Sequence, residues 1–541
     1  MCMLFQTRPF WLMMGVPTSM VHNRFKSLFG DGEKVINDRK EAIQMMLDKI
    51  SIIQEKLLKN LKEENTYDMF MKLHYIFDEV HAIYLAEKKA RTKLARLNIQ
   101  SETALNVFIE NRNIMRSIID SCNVWIENCI LYQHDADTMA SAKSRGFSMD
   151  YELIIDLYIC GALSQAISLL TLSKGPGQSL FYGLKITPQK NVPFEVLKYH
   201  PVIFYNTIIT GNQDSLVCDS LTSDANESDF GKAFSKSHGV EFLLFLAALK
   251  SFQEDLLHGD DKALTIIGRE KFINLVENYT RPRIDGKSFY NSFVLTKEKV
   301  KKQLRDNEDI IWITGANKER YELRPFVGLE NGNVLISYAA LEQSKQLWIS
   351  YFSNGGMCYS NQADVLSEAM GKRNQELSDI LVDRIRLILN KHYQATVDEK
   401  DVKFQRIFGE RDINYGDYDI VFYSEDSKEL FLIEAKYFSD SLNSSAMITD
   451  YDKLFGKGEY YNHCRQRYDL VLSEPDKIKK FINADGDVIT HLIFLSSKPI
   501  ELDFQDEDKV VTFLSLGLFE KYILGKLINE DDSVARPTRI L

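Results

Sequence analysis

No pair of cysteines in this chain has the spacing of a zinc site or a redox motif. The seven cysteines (Cys2, Cys122, Cys129, Cys160, Cys218, Cys358 and Cys464) are dispersed and odd in number. That is the usage of reduced thiols in a cytoplasmic protein, not of a disulfide framework. No apolar stretch reaches the length of a membrane span, so no membrane association is expected. A basic excess is lacking as well. The net charge is −11, and roughly −10 of it falls in residues 361–541. This argues against coating nucleic acid through bulk positive charge. It leaves room for a metal site, which needs carboxylates. The glycines of Ser173-Lys174-Gly175-Pro176-Gly177-Gln178-Ser179 lack the order of a phosphate loop and read as a turn between helices. No helix-turn-helix, zinc finger or aromatic stacking motif declares itself. No ATP-binding motif is visible, so energy coupling would need a separate partner.

What is there belongs to a globular chain. Hydrophobic residues make up 45% and charged residues 26% of 541 positions, enough apolar material for several cores. The run Phe10–Val16 is too short to span a membrane and lacks a convincing cleavage site, so residues 1–35 read as an ordered or frayed leader, with Met20 a candidate initiator. From about 37 to 132 the apolar residues recur at three- and four-residue steps, as in Ile43, Met46, Leu47, Ile50, Ile53, Leu57 and Leu61. Residues 36–145 are therefore expected to form a helical bundle or coiled-coil arm. A helical domain with its own core is the simpler reading; an oligomerisation or partner-binding element is the other.

Residues 146–280 are expected to be a second helical domain. Residues 281–358 read as a small mixed region, with strands over Ser288–Leu295, Ile310–Thr314, Phe326–Leu329 and Val334–Tyr338 and a hairpin turn at Glu330–Asn333. The last domain, 359–541, starts with a helix over about 362–393. Strands follow over Val402–Phe408, Gly416–Tyr423 and Leu430–Lys436, then a helix over about 459–472, strands at His491–Leu495 and Val510–Leu514, and a helix near 518–527. The whole is an α+β multidomain chain.

Chemistry concentrates in two of those strands. On an extended strand, side chains two apart share a face, so Leu432, Glu434 and Lys436 point one way. Asp419 lies near the start of the preceding strand. In a hairpin the start of one strand faces the end of the next, which brings Asp419 to Glu434 and Lys436. Two carboxylates and an amine gathered there make a site, because burying them unpaired is costly. Hard oxygen ligands of this kind suit Mg²⁺, which prefers one or two carboxylates and keeps its waters. A neighbouring lysine can orient a water or stabilise developing negative charge. The competing reading is an ordinary hairpin with a surface Glu434–Lys436 pair, worth little energetically; the apolar run Phe431-Leu432-Ile433 speaks against it.

Gly416-Asp417-Tyr418-Asp419 followed by Ile433-Glu434-Ala435-Lys436 resembles the D…E-x-K signature of the PD-(D/E)XK nuclease superfamily, over about residues 360–530. The resemblance implies a restriction-endonuclease-like α/β domain whose central mixed sheet is flanked by helices. It implies Asp419 and Glu434 as ligands of Mg²⁺, with Mn²⁺ as a substitute, and Lys436 as the catalytic lysine. Members often add a carboxylate from the first helix. Glu376 is the candidate and Glu368 the runner-up; a solvated helix glutamate is the plain alternative. On the helix after E-x-K, Gln466 and Arg467 are candidates for substrate contact, though position 470 is Leu and departs from the Q-x-x-x-Y pattern of one subgroup. Lys453 and Lys457 are candidates for phosphate contact, or simply for solubility. The resulting expectation is a metal-dependent nuclease, with DNA as substrate and RNA left open, of the kind used in restriction or anti-phage defence. Its helical N-terminal region would assemble a homo-oligomer or answer to a regulatory protein partner. The alternative is a non-enzymatic scaffold with a degenerate nuclease fold.

Overall fold

The computed structural model describes residues 8–63, 66–96, 102–133, 149–171, 181–186, 194–198, 223–257, 264–281, 283–304, 308, 310–312, 320–355, 364–438, 453–455, 459–497, 510–527 and 533–541. The chain is α+β, with long helices first and mixed sheets later. The periodic N-terminal stretch forms helices Arg39–Glu63, Thr66–Arg96 and Glu102–Tyr132, and Tyr151–Thr171 adds another. Their apolar stripes share one core, in which Ile53, Leu73, Ile118, Ile126 and Ile154 are fully enclosed. The segment expected as a leader belongs to that core: Phe10 and Trp11 are buried, and the Phe10 N–H donates to Asn111 Oδ1 at 2.7 Å.

The expected boundary near 281 cuts across real structure. A four-stranded sheet runs in the order Leu264–Gly268, Asn333–Ser337, Phe326–Gly328, Val294–Leu295, so a division near 281 passes through it. Its first strand is a short apolar run inside a helix-rich region and carries little signal of its own. Residues Ser288–Phe293, expected as a strand, belong to the helix Gly286–Phe293. Asp285 caps that helix by accepting the Ser288 N–H at 2.9 Å, and Phe289 and Phe293 fall one turn apart on its buried side. Of the expected strand Ile310–Thr314, residues 313 and 314 lie outside the described residues, and Ile310 and Ile311 are buried without strand structure.

The last region begins with α1 (Asp364–His392). Leu366, Ala369 and Met370 on its first turns pack into the middle core, whereas Leu381, Ile385 and Leu389 pack into the last domain. Then come β1 (Val397–Lys403), β2 (Asp417–Ser424), β3 (Glu429–Lys436), α2 (Tyr460–Ser473), β4 (Ile489–Ser496), β5 (Thr512–Ser515), α3 (Leu516–Ile523) and β6 (Arg539–Ile540). The sheet order is β5-β4-β3-β2-β1, with β6 pairing β4. β1, β2 and β3 form an antiparallel meander; β4 joins β3 in parallel, and β5 joins β4 in parallel.

The expected strand Val402–Phe408 is corrected here: β1 ends at Lys403, and Phe404–Phe408 is a short helix. Both faces of the sheet are covered. Ile420, Phe422, Phe431, Ile433 and Ala435 meet α1 and α3; Val421, Tyr423, Leu430 and Leu432 meet α2 through Cys464, Tyr468 and Val471. This two-sided covering explains the near-continuous apolar run of β3. Among the described residues, no helix is long and apolar enough to cross a membrane.

Candidate functional site

The register of β2 against β3 pairs Leu432 with Val421 and Ile433 with Ile420. One further step sets Asp419 opposite Glu434 at the end of the hairpin pairing. Strand alternation then carries Lys436 to the same face, as the sequence predicts. Lys436 Nζ lies 2.6 Å from Glu434 Oε1 and 3.1 Å from Asp419 Oδ2. The same Asp419 oxygen accepts the backbone N–H of Ala435 at 2.7 Å, which ties the carboxylate to β3 between its two partners. The ammonium also sits 5.7 Å from the centre of the Tyr460 ring.

A further cation closes the cluster. Arg467, on α2, donates from one terminal nitrogen to Glu434 Oε2 and from the other to the Tyr415 carbonyl at 2.8 Å. Both side chains are enclosed, 5% exposed for Arg467 and 6% for Glu434. Gly416 makes room for this. Its φ is +82°, and a Cβ there would lie 3.0 Å from the Arg467 guanidinium. α2 is held against the sheet by two tyrosines: Tyr418 Oη donates to the Arg467 carbonyl at 3.1 Å, and Tyr468 Oη lies 2.9 Å from the Leu432 carbonyl and 2.5 Å from that of Ile493.

The electrostatics follow from enclosure. Burial, together with the charge of Glu434, raises the Asp419 carboxyl to about 6, against the opposing pull of Lys436 and the Ala435 N–H. Burial alone would push the Lys436 ammonium down; Glu434 and Asp419 more than reverse this, and it stays charged. Arg467 behaves likewise, burial opposed and outweighed by Glu434.

No family model, curated protein or solved structure matches the chain.

Asp419, Glu434, Lys436 and Arg467 are therefore brought together. Arg467, expected to contact substrate, is instead buried against Glu434. Glu376 is not part of the cluster: it is mostly exposed, pairs with Arg373 at 2.9 Å, and rides on α1, which covers the opposite face of the sheet. Glu368 is exposed and lies 3.7 Å from Lys372. Gln466 is exposed, one position round α2 from the buried Arg467. Lys453 is half-buried with its ammonium 6.0 Å from the Phe438 ring centre, and Lys457 lies outside the described residues.

Among the described residues, no group of three or more His, Cys, Asp or Glu side chains is arranged to hold a metal ion. The donor set is thus two carboxylates. That number suits Mg²⁺ or Mn²⁺, which retain several waters, better than a structural zinc ion, which takes four protein ligands.

Proposed function

We propose that the chain is a metal-dependent nuclease that hydrolyses phosphodiester bonds, with DNA as the substrate and its last domain built on a restriction-endonuclease-like core. The observation that carries the reading is the position of Lys436 Nζ, shared between Glu434 and Asp419 on adjacent strands. The element order supports it: helix, antiparallel three-stranded meander, helix, then a strand joined in parallel is what the resemblance implies.

In this reading Asp419 and Glu434 hold a Mg²⁺ ion. When bound, the ion supplies a Lewis acid and lowers the pKa of a coordinated water. The chain's own residues do the rest. Lys436, kept protonated by its two carboxylate neighbours, offers N–H donors to the attacking water or to a non-bridging phosphate oxygen. The Ala435 N–H fixes the rotamer of Asp419, so the carboxylate does not reorganise during the reaction. Before the ion binds, Arg467 holds the Glu434 end of β3 against α2.

The acidic balance of residues 361–541 leaves phosphate contact to local cations or to a second subunit. A closed homo-oligomer assembled through the N-terminal helices would place two such sites on one duplex. A cytoplasmic role in restriction or anti-phage defence fits a chain of this plan and is part of the proposal, by analogy with the superfamily. A regulatory protein partner acting on the helical region belongs to the same analogy.

One observation favours a second reading, a non-enzymatic scaffold: Lys436 and Arg467 together cancel the charge of the two carboxylates. The readings separate in one assay. Purified protein is incubated with plasmid, linear duplex, single-stranded DNA and RNA, each with Mg²⁺, Mn²⁺ or EDTA. The nuclease reading predicts cutting that EDTA abolishes and that Glu434→Gln lacks. Absence of cutting, with no Asp419-dependent binding of Mg²⁺ by calorimetry, sinks it.

A further inference from the structure

Both oxygens of Glu434 are engaged by cations. Oε1 is engaged by Lys436 at 2.6 Å and Oε2 by Arg467, in a pocket where both Glu434 and Arg467 are almost wholly enclosed. Asp419 differs, since one oxygen, Oδ2, takes both the Lys436 ammonium and the Ala435 N–H. The site therefore rests with two carboxylates and two cations, neutral as a set.

A buried arginine–carboxylate pair is weak evidence of stabilisation, because an apolar pair of similar volume often does as well or better. The Arg467 side chain moreover carries an unpartnered buried donor, its Nε. Its anchors do not depend on Glu434. One guanidinium nitrogen is held by the Tyr415 carbonyl at 2.8 Å, and its own carbonyl is held by Tyr418 at 3.1 Å. The positive group is thus parked beside Glu434 by separate bonds. Arginine cannot shed its proton to relieve a clash of charge.

We infer that Arg467 is a built-in counter-cation, which masks Glu434 in the resting site and sets how tightly the site takes its divalent ion. The inference rests on the reading of Asp419 and Glu434 as the ligands of that ion. A divalent cation entering the intact cluster places three positive groups around two carboxylates in a medium that screens poorly. Lys436 bridges both acids and stays. Among the described acids Arg467 pairs with Glu434 and not with Asp419, so it is the group whose withdrawal frees a ligand oxygen. The consequence is a site of deliberately low affinity, which loads at high ion concentration or when an anionic substrate draws the guanidinium off.

Mn²⁺ binding to the full-length protein, read from the electron paramagnetic resonance of the free ion, tests this. The variants are Arg467→Met and Arg467→Gln, both neutral, Arg467→Lys, which keeps the charge, and Asp419→Ala as the control that defines the site. The inference predicts that a neutral variant binds Mn²⁺ at least about ten-fold more tightly than wild type, and that Arg467→Lys stays close to wild type. Loss of a mere brace would leave affinity unchanged or weaken it, never tighten it. The second neutral variant covers the case in which the first fails to fold, since Gln keeps a hydrogen-bond donor for Tyr415. A folded neutral variant that binds no more tightly than wild type overturns the inference while leaving the metal reading intact. Absence of Asp419-dependent Mn²⁺ binding in every protein overturns the metal reading, and the inference with it.

Discussion

Asp419 and Ala435 are joined by a hydrogen bond of 2.7 Å from the Ala435 backbone N–H to the Asp419 carboxylate, across the end of a β-hairpin. The residue accepting that bond is thereby fixed between Glu434 and Lys436, which flank Ala435 in sequence. One backbone donor so links the geometry of β2 to the chemistry of β3.

Asp419→Ala is predicted to act on stability and chemistry together. It strands the Ala435 N–H and removes one of the two carboxylates that hold Lys436. The expected cost is about 1–3 kcal/mol of stability, with the proposed nuclease activity at background. Urea denaturation beside a cleavage assay checks both. An unaltered denaturation midpoint would contradict the role given to this bond.

Tyr468→Phe should separate the two effects. The hydroxyl serves the carbonyls of Leu432 and Ile493 on neighbouring parallel strands, and touches neither Asp419 nor Lys436 by hydrogen bond. Its removal is expected to cost about 1–2 kcal/mol while cutting, measured well below the melting temperature, falls by less than about ten-fold, a change worth about 1.4 kcal/mol.

Two glycines make opposite predictions. Gly371 lies on an exposed face inside α1 with nothing within 4 Å of where a Cβ would sit. Gly371→Ala should stabilise the protein by about 0.5–1 kcal/mol through helix propensity and a less flexible unfolded chain. Gly416 has φ +82° and the Arg467 guanidinium 3.0 Å from a would-be Cβ. Gly416→Ala should destabilise by about 1–2 kcal/mol. Thermal melts of the two variants, side by side, check the sign of each.

The cluster was partly legible in the sequence because strand alternation is a strict rule. Glu434 and Lys436 are two apart, and the short turn Glu425–Lys428 dictates that Asp419 returns opposite them. Long helices were legible for a similar reason: Leu377, Leu381, Ile385 and Leu389 repeat at four-residue steps and are all fully buried. Edges were not. β1 has a single fully buried side chain, Val402, so its true extent gives almost no apolar pattern, while the short helix after it supplies Phe404, Ile407 and Phe408. The Arg467–Glu434 pair was legible only as two separate residues. Nothing in local spacing tells how a helix will rotate against a sheet; the buried Cys464, Tyr468 and Val471 fix that rotation, and with it the inward direction of Arg467.

A pH effect is expected far from the cluster, in the helical core. Burial raises the Asp78 carboxyl to about 8, opposed by hydrogen bonds from the Ala339 N–H and Ser337 and reinforced by Glu79. Burial likewise raises Asp120 and Glu127 to about 7. A carboxyl with a raised folded pKa binds its proton more tightly in the native state, so its contribution favours folding at low pH and is lost as pH rises from about 4 to about 8. His74, lowered by burial to about 4, acts in the opposite sense, costing stability as pH falls through about 6.5. Asp78→Asn isolates the first effect. Its melting temperature relative to wild type should rise between pH 5 and pH 8, and a constant difference across that range would contradict the assignment.

The most direct test of the account is the rate of Mg²⁺-dependent phosphodiester cleavage by Lys436→Ala against wild type, with folding and assembly first shown to be equal. A donor placed on the developing charge should be worth about 10²–10³-fold in rate. The account predicts a loss of that size, with Mg²⁺ dependence retained in whatever cutting remains. Cleavage by Lys436→Ala at the wild-type rate would contradict it.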